Sequence, residues 1–170
     1  MKTEKILAVS RKSLQDMPDA FLHKGHCFHD NEEFGDFLSA VIPHIITAER
    51  NKDTETNEEL IQLIAYPVLT VFTDKKFIFA AERTNQGEEE RLHGFKSVGF
   101  GGHISGEIAG ISLDKTIHAD FLEKFLYAEA CRELFEEISL NKIPRIIPLG
   151  LLYSEQNPVD KFHLGVVYEF

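Results

Sequence analysis

Cysteine is scarce in this chain. Cys27 and Cys131 are the two among 170 residues, too few for a disulfide framework, and they read as reduced thiols. No apolar run approaches the roughly 18 residues that would span a membrane. The N-terminal stretch "MKTEKILAVSRKS" lacks the long apolar centre and small-residue cleavage site of a signal peptide. These absences lead us to expect a cytoplasmic protein. Basic residues are also in short supply, 18 Lys and Arg against 28 Asp and Glu, for a formal net charge of −10. A large nucleic-acid footprint needs clustered Lys and Arg and is disfavoured. A small phosphorylated substrate is compatible with that charge if a cation screens the site. There is no internal repeat. What is present, 43% hydrophobic and 27% charged residues, is ordinary for a globular protein, and the length suffices for one domain with a sizeable core.

"KILAVS" (Lys5 to Ser10) reads as a short strand. "NEEFGDFLSAVIPHIITAER" has helix-like apolar spacing at Phe34, Phe37, Leu38 and Val41, and Pro43 is expected to break or kink it. "NKDTETNEE" (Asn51 to Glu59) is polar and aperiodic, hence a loop. A hairpin signal follows, from "LIQLIAYPVLTVF" (Leu60 to Phe72) through the turn "TDKK" to "FIFAAERT" (Phe77 to Thr84). "VGFGGHIS" (Val98 to Ser105) looks like a strand ending in a glycine pair. "RIIPLGLLYSE" and "KFHLGVVYEF" are two further strand candidates joined by "QNPVD". Strands on both sides of a long helix give a mixed α/β domain.

That helix carries the unusual stretch "CRELFEE", an arginine and three carboxylates within seven residues. Asp120 followed by Glu123 resembles a capping box, so the helix is expected from near Asp120 to about Ile138. At about 100° per residue, with Glu133 at 0°, Glu136 falls near −60°, Glu137 near +40° and Glu129 near −40°. Four carboxylates thus share one arc, and Arg132 can pair with Glu136 four residues on. On the same wheel Leu122 falls near −20° and Leu126 near +20°. The acidic sector of the second half is the apolar sector of the first half, so it leads into protein cover rather than running as a solvated face. Carboxylates converging in a recess are costly unless they hold metal or protons. Oxygen-only ligands suit Mg²⁺, Mn²⁺ or Ca²⁺. A solvated acidic face is the competing reading of the spacing.

Arg132-Glu133-Leu134-Phe135-Glu136-Glu137-Ile138-Ser139-Leu140, with Gly101-Gly102-His103 upstream, resembles the Nudix box, whose pattern is Gly-x(5)-Glu-x(7)-Arg-Glu-U-x-Glu-Glu-x-Gly-U, with U a bulky aliphatic residue. The Arg-Glu-U-x-Glu-Glu core matches in full. The resemblance covers roughly residues 60 to 170 and points to a subgroup of phosphoanhydride hydrolases with a long loop inside the box. The chain departs from the pattern in three places. From Gly102 to Arg132 is 30 positions where the pattern has 14, so 16 extra residues lengthen the loop. The slot eight before the arginine holds Lys124, with Glu123 adjacent, and the last glycine slot holds Ser139. None removes a core carboxylate.

The resemblance implies a single α/β domain over 1–170, an α/β/α sandwich with the catalytic helix on a mixed sheet, in which 1–59 is an N-terminal extension of unassigned role. It implies a Mg²⁺- or Mn²⁺-dependent hydrolase of a nucleoside diphosphate linked to another group. Carried over by position, Glu133, Glu136 and Glu137 are metal ligands with the backbone carbonyl of Gly102, and Arg132 orients the carboxylates through a salt bridge. Glu133 is our choice of general base. Glu129, one turn before it, is either an extra ligand or an acid supporting the ligands. Arg83, Arg91, His93 and Lys96 precede the glycine pair and offer a grip on phosphate, although Arg91 could equally pair with "GEEE" beside it. Arg83, Arg91 and His103, which directly follows the glycines, are taken as candidate substrate-binding residues.

"HKGHCFH" sets His23, His26, Cys27 and His29 close together. Such ligands can hold zinc, but no second Cys/His cluster completes a structural site, and a loop is the expected reading. A non-catalytic nucleotide sensor of the same fold is the main alternative function. An isopentenyl-diphosphate isomerase is disfavoured because neither cysteine stands in a strand-end motif. The chain stops at "GVVYEF", in what reads as the body of a strand, where the family usually continues. The expectation is that a homodimer buries the region of Val166, Val167 and Phe170, or that the N-terminal segment and its helix fold over it.

Overall fold

The computed structural model describes residues 4–17, 26–82, 94, 96–108, 111–112, 118–138, 145–156 and 160–170. The chain opens with β1 (Lys5–Ser10), whose residues Ile6, Leu7, Ala8 and Val9 are fully buried. It turns at once into the short helix α1 (Arg11–Gln15), where the Ser10 side chain accepts from the Ser13 N–H as a cap. β2 (His26–Cys27) leads to α2 (Asn31–Val41), capped by Asp30 and burying Phe34, Phe37, Leu38 and Val41, the four positions that the spacing selects. Pro43 ends that helix in a 3₁₀ turn over Ile42–His44, and the following residues form a strand, β3 (Ile45–Glu49). The polar stretch expected to be a loop contains one helical turn, α3 (Lys52–Thr56), capped by the Asn51 side chain. It buries only Thr54, so it leaves no apolar periodicity to detect.

The expected hairpin is divided. β4 (Leu60–Val68) belongs to the central sheet, while β5 (Thr70–Phe72) and β6 (Lys76–Ile78) make the hairpin proper. The return strand is broken again before β7 (Ala81–Glu82), which pairs with β8 (Lys96–Ser97). Strand pairing at the glycine pair begins at Gly102 instead of ending there, in β9 (Gly102–His103). Part of the extra sequence after it is a small hairpin, β10 (Glu107–Ile108) with β11 (Ile111–Ser112). The long helix α4 (Ala119–Glu137) follows, then β12 (Ile147–Leu152), a 3₁₀ turn at Asp160–Phe162 and β13 (His163–Glu169). Helix α4 starts one residue earlier than the capping-box reading placed it. His118 is the N-cap and makes no side-chain cap bond, so Asp120 sits inside the first turn, where its charge complements the helix dipole.

The main sheet runs β2-β12-β13-β4-β1-β3, with β9 also on β4. β13 and β4 are parallel and the other pairs antiparallel, so the sheet is mixed and the acidic helix packs on it, as expected. β1 and β4 pair only where Ala8, Val9 and Ser10 face Gln62, Ile61 and Leu60. Beyond that they separate, and the segment from Gly102 to Gly106 fills the fork. Ile104 donates to the Leu63 carbonyl at 3.2 Å and accepts from Leu7 at 2.9 Å, and Gly106 donates to the Lys5 carbonyl at 2.8 Å. The N-terminal segment therefore supplies one wall of the channel that holds the glycine pair.

Helices α2 and α4 cover one sheet face. Leu63, Ala65, Leu164, Val166 and Tyr168 from the strands share a core with Phe34, Leu122, Leu126 and Leu134 from the helices. Each of the Leu, Val and Phe side chains removed from water stabilises the fold by about 1.5–3 kcal/mol. Val166 and Phe170 are buried, and Phe34 of α2 lies edge-on to Tyr168 at 6.1 Å. The N-terminal helix thus lies against β13, one of the two arrangements expected for that strand. Among the described residues no helix is long and apolar enough to cross a membrane.

Candidate active site

Glu129, Arg132, Glu133 and Glu136 lie along the C-terminal half of α4, past the residues that anchor it to the sheet. Their mutual repulsion is offset by Arg132. Its Nη2 reaches Glu133 at 2.6 Å, Glu129 at 3.1 Å and the His103 carbonyl oxygen at 3.1 Å, and its Nη1 reaches Glu136 at 3.1 Å. One guanidinium therefore holds three carboxylates and ties the helix to β9. Burial works against its charge, yet the bonds and attraction from Glu129, Glu133 and Glu136 raise its pKa further. The pairing of Arg132 with Glu136 that their spacing allows is present.

Glu129 is buried and has two partners, Arg132 one turn on in the same helix and the Ser105 backbone N–H, which donates to its Oε2 at 2.9 Å. It acts as a clamp between α4 and the strand after the glycine pair. Glu133 is mostly covered. Burial raises its carboxyl pKa above the ordinary value, Arg132 pulls it back down, and Glu136 adds to the rise. Glu136 and Glu137 are exposed at the end of the helix. The helix terminates at Ile138, whose backbone is extended and whose N–H still bonds the Leu134 carbonyl at 2.9 Å. Ser139 lies outside the described residues.

The glycine pair explains itself at Gly102. A Cβ there would fall inside the carboxyl group of Glu133, so only glycine lets that carboxylate rest on the strand backbone. Gly102, Arg132, Glu133 and Glu136 are therefore brought together. His103 is not brought with them by its side chain. Successive residues of a strand face opposite ways, and its ring packs against His163 with centroids 5.5 Å apart. Burial first, then the nearby Arg50 and His163 charges, lower its pKa to about 3, so the imidazole is neutral. Its Nε2 is buried without a hydrogen-bond partner among the described residues. Arg83 and Arg91 lie outside the described residues, and Lys96 is exposed in β8.

Two contributors to the site carry no mark in the sequence. Ser105 serves through its backbone N–H, which any residue but proline would supply. β1 serves through Leu7 and Lys5, again by main chain, and only the pairing of distant strands reveals it. The His/Cys cluster resolves differently. His26 Nε2 is 2.8 Å from Glu33, the His29 N–H donates to the same carboxylate at 2.6 Å, and Cys27 is exposed. His23 lies outside the described residues. Among the described residues no three His, Cys, Asp or Glu side chains converge closely enough to hold a metal ion, either here or on α4.

The solved structure "Tm1382, a putative Nudix hydrolase" superposes with a TM-score of 0.64 over 98% of this chain and 74% of its own, at 23% identity. The chain has a Nudix-like fold. Protein YmaB of Bacillus subtilis (strain 168) is 36% identical over 120 residues, which are 69% of this chain and 52% of YmaB. The matched region therefore spans about half the length of that relative, whose name carries no activity. No family model matches the chain.

Proposed function

We propose that this protein is a divalent-metal-dependent hydrolase that cleaves a phosphoanhydride bond in a nucleoside diphosphate linked to another group. The observation that carries the reading is the Glu133 carboxylate seated on the backbone of Gly102 and gripped by Arg132, within a Nudix-like fold. The donor chemistry fits Mg²⁺ or Mn²⁺, because the groups on offer are carboxylate and carbonyl oxygens. Glu133, Glu136, Glu137 and the Gly102 carbonyl would hold the ion. Arg132 already holds Glu133 and Glu136, so ion binding competes with that guanidinium. A bound ion supplies charge neutralisation at phosphate oxygens and a more acidic water.

The chain's own residues supply the rest. Glu133 takes the proton of the attacking water as general base. The water oxygen bonds to phosphorus as the bridging P–O bond breaks, and the bridging oxygen leaves on the second phosphate. Arg132 and Glu129 fix the helix against the strand so that Glu133 keeps its place. A second reading, nucleotide binding without cleavage, draws on the ion pairs of Arg132, which stabilise the carboxylates without any metal. A release screen across nucleoside diphosphate derivatives with Mg²⁺ and Mn²⁺ separates the two. Phosphate or nucleotide release supports the hydrolase, and binding without release supports the sensor.

A further inference from the structure

The β5–β6 hairpin projects its apolar side chains into solvent on both faces. Val71, Phe77 and Phe79 alternate onto one face, and Phe72 and Ile78 onto the other. Phe72 is 69% exposed, Ile78 56% and Phe77 53%. Phe79 stacks on Phe100 at 6.0 Å, and Val98, two residues before Phe100 in the chain, is exposed. At roughly 150–250 Å² for a whole phenylalanine, the exposed parts of Phe72, Phe77 and Phe79 alone come to about 250–420 Å². Val71, Ile78 and Val98 are also exposed and add apolar surface on the two faces, toward the roughly 800 Å² per partner that a standard interface takes.

The hairpin is also held in place. Thr70 donates through its N–H to the Phe170 carbonyl at 2.8 Å and through its hydroxyl to Glu169 at 2.8 Å, and Phe79 donates to the Leu69 carbonyl at 2.9 Å. Lys76 pairs with Glu169 at 2.6 Å, its ammonium lying 5.3 Å from the centre of the Phe72 ring. A lysine on an edge strand usually discourages pairing with another chain. Here its charge is turned to the root of the hairpin, so it does not guard the edge.

Among the described residues the outer edge of β6 is unpaired. Thr73 bonds Lys75 and Phe79 bonds Leu69 across the hairpin, so odd-numbered residues of β6 use their backbone groups inward. Lys76 and Ile78 then turn theirs outward, and among the described residues β6 has no strand on that side. We propose that a second copy of this chain docks here, β6 against β6 antiparallel about a two-fold axis through Phe77, making a four-stranded sheet across the dimer. In that register Lys76 of each copy exchanges both backbone bonds with Ile78 of the other. Phe77 meets its own symmetry mate in a non-hydrogen-bonded pair, where side chains lie closest. Such an interface is self-complementary, as a closed dimer requires.

Sedimentation of the full chain is expected to give a dimer. Ile78→Pro removes one outward N–H while costing the hairpin no internal bond, and Phe77→Glu sets like charges opposite each other. Each is expected to weaken dimerisation at least 100-fold, with far-UV circular dichroism unchanged. Should either variant misfold, cross-linking still decides. In a Cys27→Ser background, Phe77→Cys is expected to form a disulfide-linked dimer on mild oxidation, and Ile78→Cys is not, because its opposite number is Lys76. A wild-type chain that sediments as a monomer at every concentration would overturn the proposal, as would a dimer indifferent to both substitutions or equal cross-linking at 77 and 78. A monomer that captures some other protein through the hairpin would overturn it too.

Discussion

Replacing Gly102 by alanine tests the candidate site at its tightest contact. The new methyl group would overlap the Glu133 carboxyl. To regain carbon–carbon contact at about 3.5–4 Å, the carboxyl must retreat by roughly 1.5–2 Å. It is the far end of a flexible side chain, so it can swing away without moving the backbone. The losses are the 2.6 Å pair with Arg132 and part of the cover of Glu133. For a pair whose arginine is two-fifths exposed, that amounts to about 1 kcal/mol or less, a fall in Tm of roughly 2–4 °C for a chain of this size. Turnover should suffer far more, since a displacement of about 1 Å at a reacting group can cost on the order of 100-fold. Gly150→Ala is the matched control. Its Cβ would overlap the His26 carbonyl oxygen, a main-chain atom tied into the β2–β12 pairing at Gly150 and Cys27. There the strands must move, at about 1–3 kcal/mol or more. Thermal unfolding and release of phosphate from nucleoside diphosphate derivatives, measured on both variants, give opposite patterns. Gly102→Ala is expected to be nearly as stable as the parent and almost inactive; Gly150→Ala is expected to be the less stable and to keep its turnover per folded molecule. Full activity in Gly102→Ala would refute the assignment of Glu133 to the chemistry.

Glu136→Gln should weaken Mg²⁺ or Mn²⁺ binding sharply in calorimetry, and equal binding by both proteins would remove Glu136 from the ligand set. Glu137→Gln should lower turnover far more than Tm, because the residue is exposed at the helix end; a variant that melts early while remaining active would make Glu137 structural. Glu133 has its pKa raised, chiefly by burial, so the native state binds the extra proton more readily than the unfolded one. Its contribution makes stability fall as pH rises from the ordinary carboxylate value through the raised one. Glu133→Gln should flatten that part of the stability–pH curve, seen by chemical denaturation across pH 4 to 7.

The helix and its carboxylates were legible because periodicity states which face is buried. Leu122 and Leu126 are buried, and Glu129 and Glu133 continue the same face. α2 was legible for the same reason. What failed were features carried by main chain or by single turns. α3 buries one residue and so has no pattern, and β3 follows the helix before it so closely that its five residues are too few to separate the two periods. Gly102 could be matched to a motif, but the reason for it, a carboxylate from 31 positions later resting on its Cα, is a tertiary contact. Ser105 shows the same limit from the other side, since its contribution is an N–H.

The role of residues before 60 follows from that main-chain logic. The glycine-pair segment needs partners on both edges, because its carbonyl and N–H groups are enclosed. β4 supplies one edge through Leu63 and β1 supplies the other through Leu7 and Lys5. Without β1, the strand that carries Gly102 and receives Arg132 at the His103 carbonyl would have one free edge, and Glu129 would clamp a segment held by β4 alone. β1 is in turn fixed by β3 over five residue pairs, Lys5 with Glu49 to Val9 with Ile45. The position of the Glu133 carboxylate thus depends on a chain of strand pairings that begins at the far end of the sequence. A substitution that breaks β1 pairing should therefore disturb the acidic helix before it unfolds the opposite edge of the sheet at β12.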